Sequence, residues 1–225
     1  MIMDVKLISS DIKEILRYLA YNNQALDEGI KQQVLDSITR VNEASEAKYI
    51  YKVFEMEENS FPKELIFLKG DGIKNHLKGC HKVVLMAATI GINVERLIRR
   101  EQIRNMSNAV IMDACASVLI EAVCDTVESN LRKEVTREGL FLTTRFSPGY
   151  GDLPIEIQNQ FCDTLNTAKT IGLTVSDSGI LIPRKSVTAI MGISKSSVKK
   201  NKRSCNDCNL KENCRFRRNG VSCSE

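Results

Sequence analysis

Histidine, the commonest general base of enzyme catalysis, is nearly missing from this chain. Its 2 histidines, His76 and His81, stand in or near one short helix, where they read as structural, and no convincing catalytic dyad can be assembled around them. Long apolar runs are missing as well. Nothing approaches the ~20 consecutive apolar residues that a spanning helix needs, and the N-terminus lacks the basic-then-apolar layout of a signal peptide. The expectation is a soluble, cytoplasmic protein that does not enter a membrane. There is no internal repeat and no low-complexity tract.

What is present is enough for a proper core. The chain has 225 residues, 43% of them hydrophobic, which fits one domain and a tail. The division falls at a body of residues 1–195 and a tail of residues 196–225. The formal charge is only +4, but it is unevenly spread. After Pro183, Lys195, Lys199, Lys200, Lys202, Arg203, Lys211, Arg215, Arg217 and Arg218 face Asp207, Glu212 and Glu225, a basic tail on a nearly neutral body.

The body mixes two periodicities. Ile12, Ile15, Leu16 and Leu19 keep helical spacing from Asp11 to Tyr21, and a second helix is expected from about Asp27 to Ala47. Lys48 to Met56 and Leu65 to Leu68 read as strands. Gly70-Asp71-Gly72 then turns into a short helix. His81 to Ala88 is almost continuously apolar, as in a strand buried on both faces. From Ser107 to about Arg137 runs a proline-free amphipathic pattern, with Ile111, Cys115, Val118, Ala122 and Leu131 on related faces. Gly139 ends this long central helix. Leu140 to Phe146 supplies a strand, a helix follows Pro154 to about Thr167, and short strands fall at Leu173 to Val175, Gly179 to Ile182 and Val187 to Ile193. The order fits an α+β fold with a mixed or antiparallel sheet better than a doubly wound parallel one.

The strand ending at Phe146 delivers Arg145-Phe146-Ser147-Pro148-Gly149-Tyr150-Gly151. Pro148 fixes one backbone angle, and the two glycines reach conformations that other residues resist. Arg145 offers a planar cationic fork for a carboxylate, and Tyr150 a flat ring with a polar tip. Such a segment can hold an amino-acid-like ligand; it can equally be a tight turn over a core edge.

Arg145, Pro148, Gly149 and Tyr150 form an Arg-x-x-Pro-Gly-Tyr pattern that resembles the S-adenosylmethionine-binding motif of the activation, or reactivation, domain of cobalamin-dependent methionine synthase. The preceding helix, from Asp113 through Glu121 and Asp125 to Glu134, is similar in register. Pro183-Arg184-Lys185-Ser186-Val187-Thr188 resembles that domain's Pro-x-x-Ser-Val-Ser segment. The likeness covers roughly residues 105–195 and points to a short, stand-alone relative.

This resemblance implies a twisted, mostly antiparallel sheet with flanking helices. It also implies support for the reductive methylation of a cobalamin that has lost an electron, within methionine biosynthesis or a related corrinoid methyl-transfer system. The cobalamin would be presented by a partner, either methionine synthase or another cobalamin-binding protein, and a flavodoxin- or ferredoxin-type protein would donate the electron. By the same resemblance Arg145 holds the ligand carboxylate, the backbone of Ser147, Pro148 and Gly149 meets the adenosine, Tyr150 fixes its position, and Glu121 pairs with the ammonium or sulfonium. Two departures stand out. Ser147 replaces a small apolar residue, and no acidic residue of the N-terminal half matches the family's other ligand contact. Read without the resemblance, Asp113, Ser117, Glu121 and Asp125 are an i,i+4 polar line of the kind that faces water.

Eight cysteines fall into two groups. Cys80, Cys115, Cys124 and Cys162 are scattered among apolar neighbours, and the last three take helical positions as small core residues. Cys205, Cys208, Cys214 and Cys223 crowd a basic segment with few apolar residues, so burial does not explain them. Nearby cations favour thiolate, and four thiolates suit tetrahedral zinc or an iron–sulfur cluster; a metal would also supply folding energy. Two other readings remain open. The tail could be a small nucleic-acid-binding finger, although it lacks regular interleaving of aromatic and basic residues and the body has no recognition-helix signature. Alternatively, the chain could be a small-molecule S-adenosylmethionine-dependent methyltransferase, although the glycine-rich strand-to-helix turn is missing.

Overall fold

The strand β2 (Cys80–Thr89) organises the molecule. Its apolar run alternates between two cores, with Val84, Met86 and Ala88 in one and Val83, Leu85 and Ala87 in the other. Burial on both faces explains why the run has almost no polar residues. β6 (Ser186–Ser194) pairs along its full length, from Thr89 opposite Ser186 to Cys80 opposite Ser194. β1 (Lys48–Glu55) lies on the other side of β2, and the short β3 (Phe141–Leu142) flanks β6. The order is β1-β2-β6-β3, and each of these pairings is antiparallel. In this computed structural model the described residues are 1–21, 27–57 and 60–196. The cysteines at 205, 208, 214 and 223 lie outside them.

One face of the sheet carries α5 (Met106–Arg137), whose 32 residues make a rod of ~48 Å. Packed around it are α1 (Ile12–Tyr18), α2 (Glu28–Ala44) and α4 (Ile92–Arg104). Ile111, Cys115, Val118 and Leu131 of α5 are buried as the periodicity predicts. The Asp27 side chain caps α2 by accepting the Gly29 and Ile30 N–H groups, and the Asn105 side chain accepts from Asn108 N–H at the start of α5. The opposite face buries α3 (Asp71–His76) and α6 (Gln158–Leu165), which place Ile73 and Phe161 in the second core. After α7 (Thr167–Thr170), a hairpin of β4 (Thr174–Val175) and β5 (Leu181–Ile182) leads into β6. The fold is therefore α+β, with an antiparallel sheet between helices and one long helix. Among the described residues no helix is long and apolar enough to cross a membrane.

Three local expectations change. Leu65 to Leu68 is not a strand. Leu65 N–H bonds to the Pro62 carbonyl and Leu68 N–H to that of Leu65, so a 3-10 turn at Lys63–Leu65 lets Leu65, Phe67 and Leu68 be buried without any ladder. The strand expected from Leu140 to Phe146 pairs regularly only at Phe141 and Leu142. Beyond them the Thr143 hydroxyl accepts the Gly192 N–H at 2.8 Å, a place where a ladder carbonyl would ordinarily sit, and pairing resumes as a single bridge between Phe146 and Ile190. The third change is α4, a helix with no counterpart in the sequence reading.

Candidate functional site

The segment that begins at Arg145 is held from three directions. Phe146 is stitched to Ile190 of β6 by two backbone hydrogen bonds of 2.9 and 2.8 Å. His76 reaches from α3 to the Thr144 carbonyl at 2.9 Å; a carbonyl can only accept, so its Nε2 carries the proton. The His76 ring lies against Phe146, with centroids 5.1 Å apart, and Phe146 in turn meets Tyr150 edge-on. Beyond Phe146 the chain turns on itself: Tyr150 N–H donates to the Ser147 carbonyl, Leu153 N–H to that of Tyr150, and Gly149 N–H to that of Leu153. Gly149 and Gly151 stand at φ +90° and +56°, where a side chain would be strained.

The third anchor is Asp152. Its carboxylate accepts the N–H groups of Asp71 and Gly72, at 2.6 and 2.9 Å, at the start of α3. These backbone donors hold its pKa below the ordinary aspartate value. The fit explains the Gly70-Asp71-Gly72 sequence, because a Cβ at Gly70 or Gly72 would come within 2.8 or 2.6 Å of the same carboxylate.

Arg145 itself is 13% exposed and lies along α5. Its three guanidinium nitrogens each meet a different carboxylate: Nε donates to Glu128 at 3.1 Å, Nη1 to Glu121 at 3.2 Å and Nη2 to Asp125. Although burial opposes it, the surrounding Cys124, Glu121, Asp125 and Glu128 raise the guanidinium pKa above its ordinary value. Cys124 lies in the core beside this cluster, and burial pushes its thiol up to about 12. One turn back along α5, Lys185 meets Asp113 at 2.9 Å and the Ser117 hydroxyl at 2.8 Å. The polar line of α5 is thus covered by two cations rather than facing water alone.

Beside the Arg145–Glu121 pair opens a cleft of about 230 Å³. Of the residues singled out in the sequence, Glu121, Arg145, Ser147, Pro148 and Tyr150 line it, whereas Gly149 does not. The floor comes from Ser186, Val187 and Thr188 of β6, and two further lining residues, Gln158 and Leu181, carry no signal in the sequence reading. Asp125, a member of the i,i+4 line, and Glu128, three residues beyond it, are not marked by the sequence as partners of Arg145. Among the described residues that line the cleft, only Glu121 and Arg145 are charged.

No protein-family model and no curated protein matches the sequence. A solved structure does match: the crystal structure of the MetH reactivation domain bound to AdoHcy, at a TM-score of 0.58 and 13% identity, covering 99% of this chain and 86% of that one. The chain has the reactivation-domain fold. Within that fold the strand-to-loop segment, α5 and the start of β6 converge on one cleft, although they are far apart in sequence.

No cluster of three or more His, Cys, Asp or Glu side chains suited to a metal occurs among the described residues. Cys115, Cys124 and Cys162 are free, buried thiols, as their apolar settings predict, and burial raises the pKa of each.

Proposed function

We propose that the cleft binds S-adenosylmethionine and that the chain supports reductive methylation of the cobalamin of a methionine synthase or related corrinoid methyltransferase. The observation that carries this reading is the Arg145–Glu121 ion pair lining a cleft beside the Ser147–Pro148–Tyr150 turn. An amino-acid zwitterion inserted into that pair replaces one salt bridge with two. Its carboxylate takes Arg145 Nη1, its ammonium takes Glu121, and Glu128 and Asp125 keep the guanidinium in place. Ser147 and Pro148 contact the adenosine, Gly149 shapes the turn that presents them, and Tyr150 fixes its position.

Bound S-adenosylmethionine supplies a methyl group already activated on a sulfonium, so no general base is needed, in keeping with the scarcity of histidine. The residues of this chain bind and orient the ligand. Pockets that enclose a ligand of this size measure about 300–1,000 Å³; a cleft of about 230 Å³ leaves one side of the ligand open to a partner. The partner in this reading is the cobalamin-carrying protein, with a flavodoxin- or ferredoxin-type donor supplying the electron, all in the cytoplasm.

Titration calorimetry tests the binding step. Wild type should bind S-adenosylmethionine, and Arg145→Ala, confirmed as folded, should bind at least ~10-fold more weakly, the factor expected for a charge-assisted hydrogen bond. An absence of heat with wild type sinks the proposal. The second step is checked by following methylation of cobalamin by absorbance, with a corrinoid protein and a reductant present.

A separate site is proposed for the tail, where Cys205, Cys208, Cys214 and Cys223 hold zinc or an iron–sulfur cluster. Elemental analysis should find zinc or iron in wild type and little in Cys205→Ala/Cys208→Ala; equal metal content in both would refute it.

A further inference from the structure

Gln158 opens α6 yet belongs to the cleft. The residue is 4% exposed, and Thr188 of β6, which holds it, is 2% exposed. The Thr188 hydroxyl donates to Gln158 Oε1 at 2.8 Å. In this orientation the hydroxyl proton has its acceptor, and Thr188 holds the amide oxygen against β6. Gln158 lines the cleft, and none of the hydrogen bonds found among the described residues takes up its amide N–H2 group. With its oxygen held by Thr188, the amide keeps one orientation before a ligand arrives, and a donor positioned in advance costs the ligand little ordering.

The remaining lining decides which part of a ligand this donor meets. Both charged side chains of the cleft, Glu121 and Arg145, form one ion pair and suit the charged groups of an amino acid. Pro148, Leu181 and Val187 offer apolar surface without charge, the setting for a neutral, flat heterocycle. From this arrangement we infer that Gln158 is a specificity-determining residue, donating its amide N–H to an acceptor of the adenosine portion of the ligand, with Thr188 as its positioning residue. This rests on the S-adenosylmethionine reading above and adds a side-chain contact to it.

The test uses the full chain and the variant Gln158→Met/Thr188→Val. Removing both polar partners at nearly constant shape leaves no buried hydroxyl unpaired, so the variant should melt close to wild type. Calorimetry is run with S-adenosylmethionine and with 5′-methylthioadenosine, which keeps the adenosine but has no amino-acid end. The variant should bind both ligands about three- to tenfold more weakly, the effect of one neutral hydrogen bond. Unchanged affinity for both overturns the inference and leaves the binding reading intact. A loss confined to S-adenosylmethionine also overturns it, because Gln158 would then serve the amino-acid end. If wild type binds neither ligand, the binding reading fails and takes this inference with it.

Discussion

Arg145 bears on stability as well as on the proposed binding, and the two effects can be separated. In Arg145→Ala three carboxylates lose a shared cation. Glu121 and Asp125 are 48% and 69% exposed, so water screens them and together they account for roughly 0.5–1 kcal/mol. Glu128 is 19% exposed and its bond to Arg145 Nε is 3.1 Å long; losing a partly buried, charge-assisted hydrogen bond costs about 1.5–3 kcal/mol. The sum is about 2–4 kcal/mol, or roughly 4–16 °C in melting temperature for a domain of this size. Glu128 keeps Arg132 at 2.7 Å, which limits the damage. A double-mutant cycle with Glu128→Gln, read by urea unfolding, should return a coupling of about 1–2 kcal/mol. The coupling should survive added salt better than the Glu121 and Asp125 contributions, because buried pairs are screened less. A coupling within about 0.3 kcal/mol of zero would refute the placement of Glu128 as the principal anchor.

Asp152 gives a prediction in pH. Its folded-state pKa is depressed by the Asp71 and Gly72 N–H groups, so its contribution is present above the unfolded-state value of ~3.9 and is lost as pH falls through the lower folded value. In NMR titrations the Asp71 and Gly72 amide signals should move together with a midpoint below about 3.9, and Asp152→Asn should abolish the titration; a midpoint at or above that value counts against the clamp. In the second core, Phe161 is fully buried and meets Phe67 edge-on at 6.5 Å. Phe161→Ala should therefore lose about 3–5 kcal/mol on denaturant unfolding, and a loss near 1 kcal/mol would mean that the site is not close-packed.

β2 and α5 are readable from sequence because each repeats one burial pattern over many residues. β2 is apolar on both faces, and α5 keeps helical spacing across 32 residues. α4 escapes because its inward face is partly ionic. Glu95 and Glu101 are buried there beside Val94, Leu97 and Ile98, satisfied by the Arg184 N–H and by Arg99 and Arg40. A carboxylate at a core position erases the apolar period, and two of the partners, Arg184 and Arg40, lie far away in the chain. The cleft divides in the same way. Arg145 and its turn stand out through local chemistry, and the acidic line of α5 is visible as a line. The meeting of that line with Arg145, however, is decided by how β3 and the following segment lie along the helix. Gln158 has no local signal at all, since its role comes from Thr188, which lies 30 residues away.

The attachment of the 147–153 turn to α3, through Asp152, and to β6, through Phe146, has a kinetic consequence. These anchors join segments separated by up to 81 residues, so the turn cannot swing away as an independent lid without giving up tertiary contacts. A ligand meets a recess already shaped for it and spends little of its binding energy on ordering the chain. Entry should then follow a single encounter step with no slow closing phase, and residence time should be governed by the contacts made in the cleft rather than by a gate.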